Sequence, residues 1–100
     1  MPPHTRLDAA AIKEAVSPAD FYRTELSTMK ATRGAALHAN GGLCPFHADT
    51  RPNSFFVNLE TGGYVCFSCG AKGGDLFSFL VARDGCTFRE ALDYLQENYL

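Results

Sequence analysis

The sequence predicts an α+β chain, with a small antiparallel sheet in the middle and helices before and after it. Three observations carry that prediction. Cys44-Pro45-Phe46-His47 and Cys66-Phe67-Ser68-Cys69 are two short pairs of soft ligands, separated by eighteen residues. Between them, Ser54 to Asn58 and Tyr64 to Phe67 are β-prone runs on either side of the turn signal Glu60-Thr61-Gly62-Gly63. Outside this stretch, apolar residues recur at helical spacing towards both ends of the chain.

The paired ligands point to zinc. Zn²⁺ accepts thiolate sulfur and imidazole nitrogen in one tetrahedron and has no geometric preference of its own. Two intervening residues let each pair curl around one ion, and the hairpin returns the second pair to the first. Cys44, His47, Cys66 and Cys69 are therefore the expected ligands of one structural Zn²⁺, and the sheet is a zinc ribbon. Its core is expected at about 36–74, between helices at about 7–26 and 75–98 of a single domain. Four protein ligands leave no open position for water, which favours a structural over a catalytic metal.

Two other uses of the cysteines fit the sequence less well. A Cys66-x-x-Cys69 redox dithiol would sit at the start of a helix in a βαβ context, whereas Gly70-Ala71-Lys72-Gly73-Gly74 follows here. A disulfide needs an oxidising compartment. Residues 1–20 carry charges throughout and lack the apolar core of a signal peptide, so a cytoplasmic setting is expected. No apolar run approaches the length of a membrane span, and no membrane partner is expected.

In chain order, Leu7 to Val16 reads as a short helix with Leu7, Ala11, Ile12, Ala15 and Val16 on one stripe. Ser17-Pro18-Ala19-Asp20 restarts a helix, with Ser17 as N-cap and Pro18 in the first turn, and Phe21, Tyr22 and Leu26 facing inward. Met29 to Thr32 and Ala35 to His38 admit two short strands around Arg33-Gly34. His38 is read as solvent-facing or hydrogen-bonded beside an already complete site. On the hairpin, Phe55, Val57 and Leu59 form an apolar face, while Phe56 and Asn58 make the other face mixed. Either helices cover both faces, or one face offers aromatics to a partner.

Beyond the ribbon, Asp75 is placed to cap a helix carrying Leu76, Phe77, Phe79, Leu80 and Val81, apolar on more than one side. Gly85 is placed to end it. Thr87-Phe88-Arg89-Glu90 is a capping box for a last helix presenting Phe88, Ala91, Leu92, Leu95 and Tyr99. Cys86 lies between these helices and is read as packing.

Composition sets bounds. A chain of 100 residues is near the margin of what core burial alone stabilises, and a structural zinc site adds an apparent ~10–16 kcal/mol. The net charge is −2 but unevenly spread. Residues 23–72 hold Arg23, Lys30, Arg33, Arg51 and Lys72 against Glu25, Asp49 and Glu60. The last 28 residues hold Arg83 and Arg89 against Asp75, Asp84, Glu90, Asp93 and Glu97. The ribbon is mildly basic, the C-terminal region acidic.

The pattern as a whole resembles the zinc-binding domain at the N-terminus of bacterial-type DNA primases. The resemblance rests on Gly42-Leu43-Cys44-Pro45-Phe46-His47, Pro52, Ser54-Phe55, Val57, Tyr64, Cys66-Phe67-x-Cys69-Gly70, Gly73-Gly74-Asp75 and Phe77, and covers most of residues 11–97. It departs at Asn53, which intervenes where the family places serine directly after the proline. It also stops short of a primase catalytic domain. Primer synthesis needs clustered carboxylates around Mg²⁺, and the acidic residues here are scattered. The chain is thus expected not to be a polymerase by itself, but a primase fragment or a stand-alone relative of the kind found on plasmids, phages and integrative elements.

The resemblance implies a module that binds single-stranded template DNA in replication priming and works with a primase catalytic domain or another replication protein. Lys30, Arg33, Arg51 and Lys72 are the candidates for phosphate. Phe56, Tyr64 and Phe67 are the candidates for base stacking, Tyr64 first among them. The alternative is a zinc-stapled interaction module whose acidic helices dock a replication or mobilisation protein without touching DNA.

Overall fold

The structure, a computed structural model, describes residues 6–30, 37–48 and 53–100. Helix α1 (Ala9–Ala15) begins at Asp8, whose carboxylate accepts the Ala11 N–H at 2.8 Å. Helix α2 (Pro18–Glu25) begins at Ser17, whose hydroxyl accepts the Asp20 N–H, with proline in its first turn. Both caps satisfy backbone donors that the helix cannot.

The sheet is antiparallel throughout, in the order β1 (His38–Asn40), β2 (Phe55–Asn58), β3 (Tyr64–Cys66), β4 (Lys72–Gly73). The central hairpin lies where the sequence places it. Its first neighbour does not. Met29 and Lys30 form no strand, and β1 starts at His38, pairing His38 with Asn58 and Asn40 with Phe56. Alanine and asparagine carry little strand propensity. The edge of β2 recruits this segment, and Ala39 is buried as a result. The expected turn at Arg33-Gly34 lies outside the described residues. Strand β4 also departs from the sequence pattern, in which Gly70 to Gly74 reads as a turn. Gly73 pairs with Tyr64 there, and a Cβ at Gly73 would stand 2.6 Å from the Tyr64 ring.

Among the described residues, helices cover one face of the sheet only. Ala39, Phe55, Val57, Tyr64 and Cys66 point into the core, where Phe21 and Tyr22 of α2 meet them. Helix α3 (Leu76–Asp84) adds Phe79, which lies edge-on to Tyr22 at 5.1 Å and to Tyr64 at 5.5 Å. The Tyr22 hydroxyl donates to the Gly62 carbonyl at 2.5 Å and ties α2 to the hairpin turn. Phe56, Asn58 and Val65, on the far face, are only half-buried.

Helix α3 is capped by Asp75 and ends at Gly85 in the left-handed region, φ +65°. Leu76, Phe77, Phe79 and Leu80 are buried, while Val81 stays exposed. Helix α4 (Phe88–Tyr99) opens with the expected capping box of Thr87 and Glu90. A polar cluster that the sequence did not announce joins the helices. Glu25 pairs with Arg83 at 2.8 Å and accepts hydrogen bonds from the Tyr94 and Tyr99 hydroxyls.

Candidate functional site

The two ligand pairs meet at the end of the sheet. Cys66 closes β3, and the chain turns back on itself so that the Gly70 N–H reaches the Cys66 carbonyl at 2.9 Å. Gly70 holds φ +82°, a conformation that other residues adopt only at a cost. The first pair is delivered by Gly41 and Gly42. Gly42 sits at φ +83°, against the Thr28 carbonyl, and the Leu43 N–H donates to the Thr28 hydroxyl at 2.8 Å.

The four ligand atoms of Cys44, His47, Cys66 and Cys69 all lie within 4.8 Å of one another. Cys44 Sγ is 3.8 Å from Cys69 Sγ, and Cys66 Sγ is 3.7 Å from His47 Nε2. A tetrahedral zinc ion with bonds near 2.3 Å to sulfur and 2.0–2.1 Å to nitrogen sets these edges at about 3.8 and 3.6 Å. The residues therefore fit one zinc ion, held by three sulfurs and one nitrogen, as the spacing predicts. Bound there, zinc would supply a cross-link between the two ends of the ribbon.

The surroundings treat the thiols differently. Burial pushes the Cys44 thiol up to about 12. Burial also acts to raise Cys66, but the Cys69 N–H, the His47 ring and the Ser68 N–H outweigh it and bring that thiol down to about 7. Cys86 stands apart from this group, half-buried against the core with its thiol on the Leu80 carbonyl.

Comparison with known proteins decides the family. The CHC2 zinc finger matches residues 12–100, nearly the whole chain. This chain belongs to the CHC2 zinc finger family. Its similar proteins are named DNA primase. The one from Listeria monocytogenes is 53% identical over 51 residues, 51% of this chain and 8% of that protein. Those from Streptomyces coelicolor and Mycolicibacterium smegmatis are 38% and 36% identical over 88 and 90 residues, each 13% of the relative. The chain thus spans only a small part of the length of these primases.

The CHC2 finger carries a second surface, the uncovered face of its sheet. Cross-strand register puts Asn40, Phe56, Val65 and Lys72 in one row on that face. Phe67, two residues beyond Val65, joins them with 76% of its surface exposed and its ring 5.9 Å from Phe56. Lys30 is exposed beside the opposite edge, its N–H on the Asn40 carbonyl. Of the seven residues singled out for nucleic acid, Phe56, Phe67 and Lys72 share this face, with Lys30 at its margin.

Tyr64 does not, which corrects the first choice among the stacking residues. It is 7% exposed, stacks on Phe46 at 5.2 Å and points its hydroxyl to the Ser78 carbonyl. Strand alternation puts it beside Phe55 and Val57, on the buried side. Arg33 and Arg51 lie outside the described residues. Asn53, the extra residue after Pro52, accepts a hydrogen bond from Asn40 Nδ2 at 3.0 Å. No local pattern signals this cross-link, since it depends on the β1–β2 register. Among the described residues no helix is long and apolar enough to cross a membrane.

Proposed function

We propose that this CHC2 finger binds single-stranded template DNA in replication priming, and presents it to a primase catalytic domain or a related replication protein in the bacterial cytoplasm. The observation that carries this is the open sheet face. Two adjacent aromatic rings, Phe56 and Phe67, stand beside Lys72, with Lys30 at the other edge. Exposed rings stack on unpaired bases whatever their sequence, and flanking cations track the phosphates. Arg33 and Arg51, outside the described residues, are proposed as further phosphate contacts. The name of the relatives, DNA primase, supports the setting. In this reading the chain is not an enzyme by itself. Among the described residues, the set that can gather around a metal is the cysteine–histidine one, not a carboxylate cluster.

A second reading has its own observation. Val81 and Phe88 are exposed, 37% and 53%, on helices that also carry Asp84 and Glu90, which suits docking of a basic protein partner without DNA contact. A salt series separates the two. Zinc-loaded protein is titrated with fluorescent single-stranded and duplex oligonucleotides. Template binding predicts preference for the single strand, affinity falling steeply with salt, and loss on chelation. Absence of single-strand binding at low salt would sink it and favour the docking reading.

A further inference from the structure

A cavity of about 290 Å³ opens at the turn end of the central hairpin, the end away from the metal ligands. Its floor is apolar, formed by Ile12, Val16, Leu76, Phe77 and Leu95, each at most 7% exposed. Its walls are fixed by bonds of their own. On one side, α1 is tied to α4 through the Leu7 N–H, which donates to Gln96 Oε1 at 3.0 Å. On the other, Asn58 Oδ1 accepts the Glu60 and Thr61 N–H groups at 2.8 and 2.9 Å and holds the turn. Small-molecule sites are mostly preformed and measure roughly 300–1,000 Å³, so a cavity of this size suits a compact ligand.

The charges at its rim are unequal. Glu60 and Asp75 bring two carboxylates, Lys13 a single ammonium. Asp75 Oδ1 accepts the Ser78 N–H at 2.8 Å, while Oδ2 stands 4.0 Å from Lys13 Nζ. That ion pair is long and 60% of the Lys13 side chain is exposed, so little holds the ammonium in place. Glu60 is exposed and forms no ion pair among the described residues.

We propose that this cavity is a binding site for a compact organic cation, an apolar ring or branched group carrying one ammonium. The apolar group lies on the floor, where leaving water is favourable. The ammonium meets Glu60 and Asp75 Oδ2 at the mouth and displaces Lys13 into solvent. An anion of the same shape faces two carboxylates and one ammonium, and a bare diamine leaves the floor empty. The site shares no residue with the zinc ligands or with Lys30, Phe56, Phe67 and Lys72, so it is independent of the template-binding reading.

The probe is tryptamine, compared with indolepropionate, which joins the same ring to a carboxylate, and putrescine, which has charge but no ring. Each is titrated into isotope-labelled, zinc-loaded protein and followed by amide chemical shifts. Tryptamine should give saturable shifts at Ile12, Leu76, Phe77 and Leu95, and the other two much weaker ones. Two surface variants then test the charges by sign, with Asp75 left alone because it caps α3. Glu60→Gln should weaken tryptamine binding roughly two- to fivefold, the scale of one partly exposed ion pair. Lys13→Gln should tighten it by a similar factor, because it removes the competing ammonium. Equal binding of tryptamine and indolepropionate, or variants that shift affinity in the same direction, would overturn the proposal. So would an absence of saturable shifts at the four floor residues, and that result would leave the template-binding reading untouched.

Discussion

The Glu25 carboxylate and the Arg83 guanidinium meet at 2.8 Å, with 12% and 19% of their side chains exposed. The pair joins α2 to α3, and the Tyr94 and Tyr99 hydroxyls bring α4 to the same carboxylate. Burial acts to raise the Glu25 carboxyl, but the hydrogen bonds from Tyr99, Arg83 and Tyr94 outweigh it and hold it below the usual value.

That direction fixes a pH dependence. A carboxyl depressed in the folded state binds protons more readily when unfolded. Its stabilisation is therefore complete above the unfolded pKa and is lost as pH falls through the folded one. Glu25→Gln should be less stable than wild type near neutral pH, and the gap should close on acidification. Urea unfolding of both proteins across this range checks it. Comparing the two cancels acid release of zinc, common to both. A gap that stays constant with pH would refute the role of the charge.

Removing the metal should open the ribbon. Chelation is expected to forfeit most of the apparent ~10–16 kcal/mol that a structural zinc site contributes. Cys44 and Cys66, both buried, should then become alkylatable together with Cys69, while Cys86 reacts independently of the chelator. Thiol labelling read by mass spectrometry gives the answer. Equal protection of Cys44 and Cys66 with and without chelator would contradict the assigned site.

Gly42→Ala is expected to cost more than about 2 kcal/mol, since φ +83° penalises any Cβ and this one would lie 2.3 Å from the Thr28 carbonyl. Because Gly42 leads into Cys44, zinc affinity should fall with stability. Denaturation and competitive zinc titration measure the two. Unimpaired zinc binding in a destabilised variant would show that the first ligand pair is positioned without this turn.

Phe67 and Tyr64 should separate binding from folding. Phe67→Ala removes a ring that is 76% exposed, so stability should move by no more than about 0.5 kcal/mol. Single-strand affinity should drop by about 1–3 kcal/mol. Tyr64→Ala should instead destabilise by about 3–5 kcal/mol, as expected for a large ring lost from a core. Thermal melts and oligonucleotide titrations on both variants distinguish these outcomes. A Phe67→Ala protein that binds DNA normally would remove the ring from the interface.

Much of this protein was legible in local sequence. Ligand spacing identified Cys44, His47, Cys66 and Cys69, because a tetrahedral ion constrains nearby residues through short-range geometry. Ser17, Asp75 and the Thr87–Glu90 box marked helix starts, because capping bonds span three residues. Gly85 marked a helix end for the same reason.

What depended on residues distant in sequence waited for the tertiary structure. The β1 register and strand β4 arise because the edges of the hairpin have unpaired backbone groups that recruit whatever segment passes beside them. The choice of which sheet face to cover was equally global. Phe56 and Tyr64 look alike as aromatic residues in strands, yet helices α2 and α3 pack on one side only, burying Tyr64 and leaving Phe56 at the surface. The Glu25 cluster, drawing residues from three helices, exists only once those helices have met. The sequence by itself determined the metal ligands and the caps that start α2, α3 and α4. The tertiary structure decided which aromatic rings face outward, since burial is settled by packing partners that local sequence does not name.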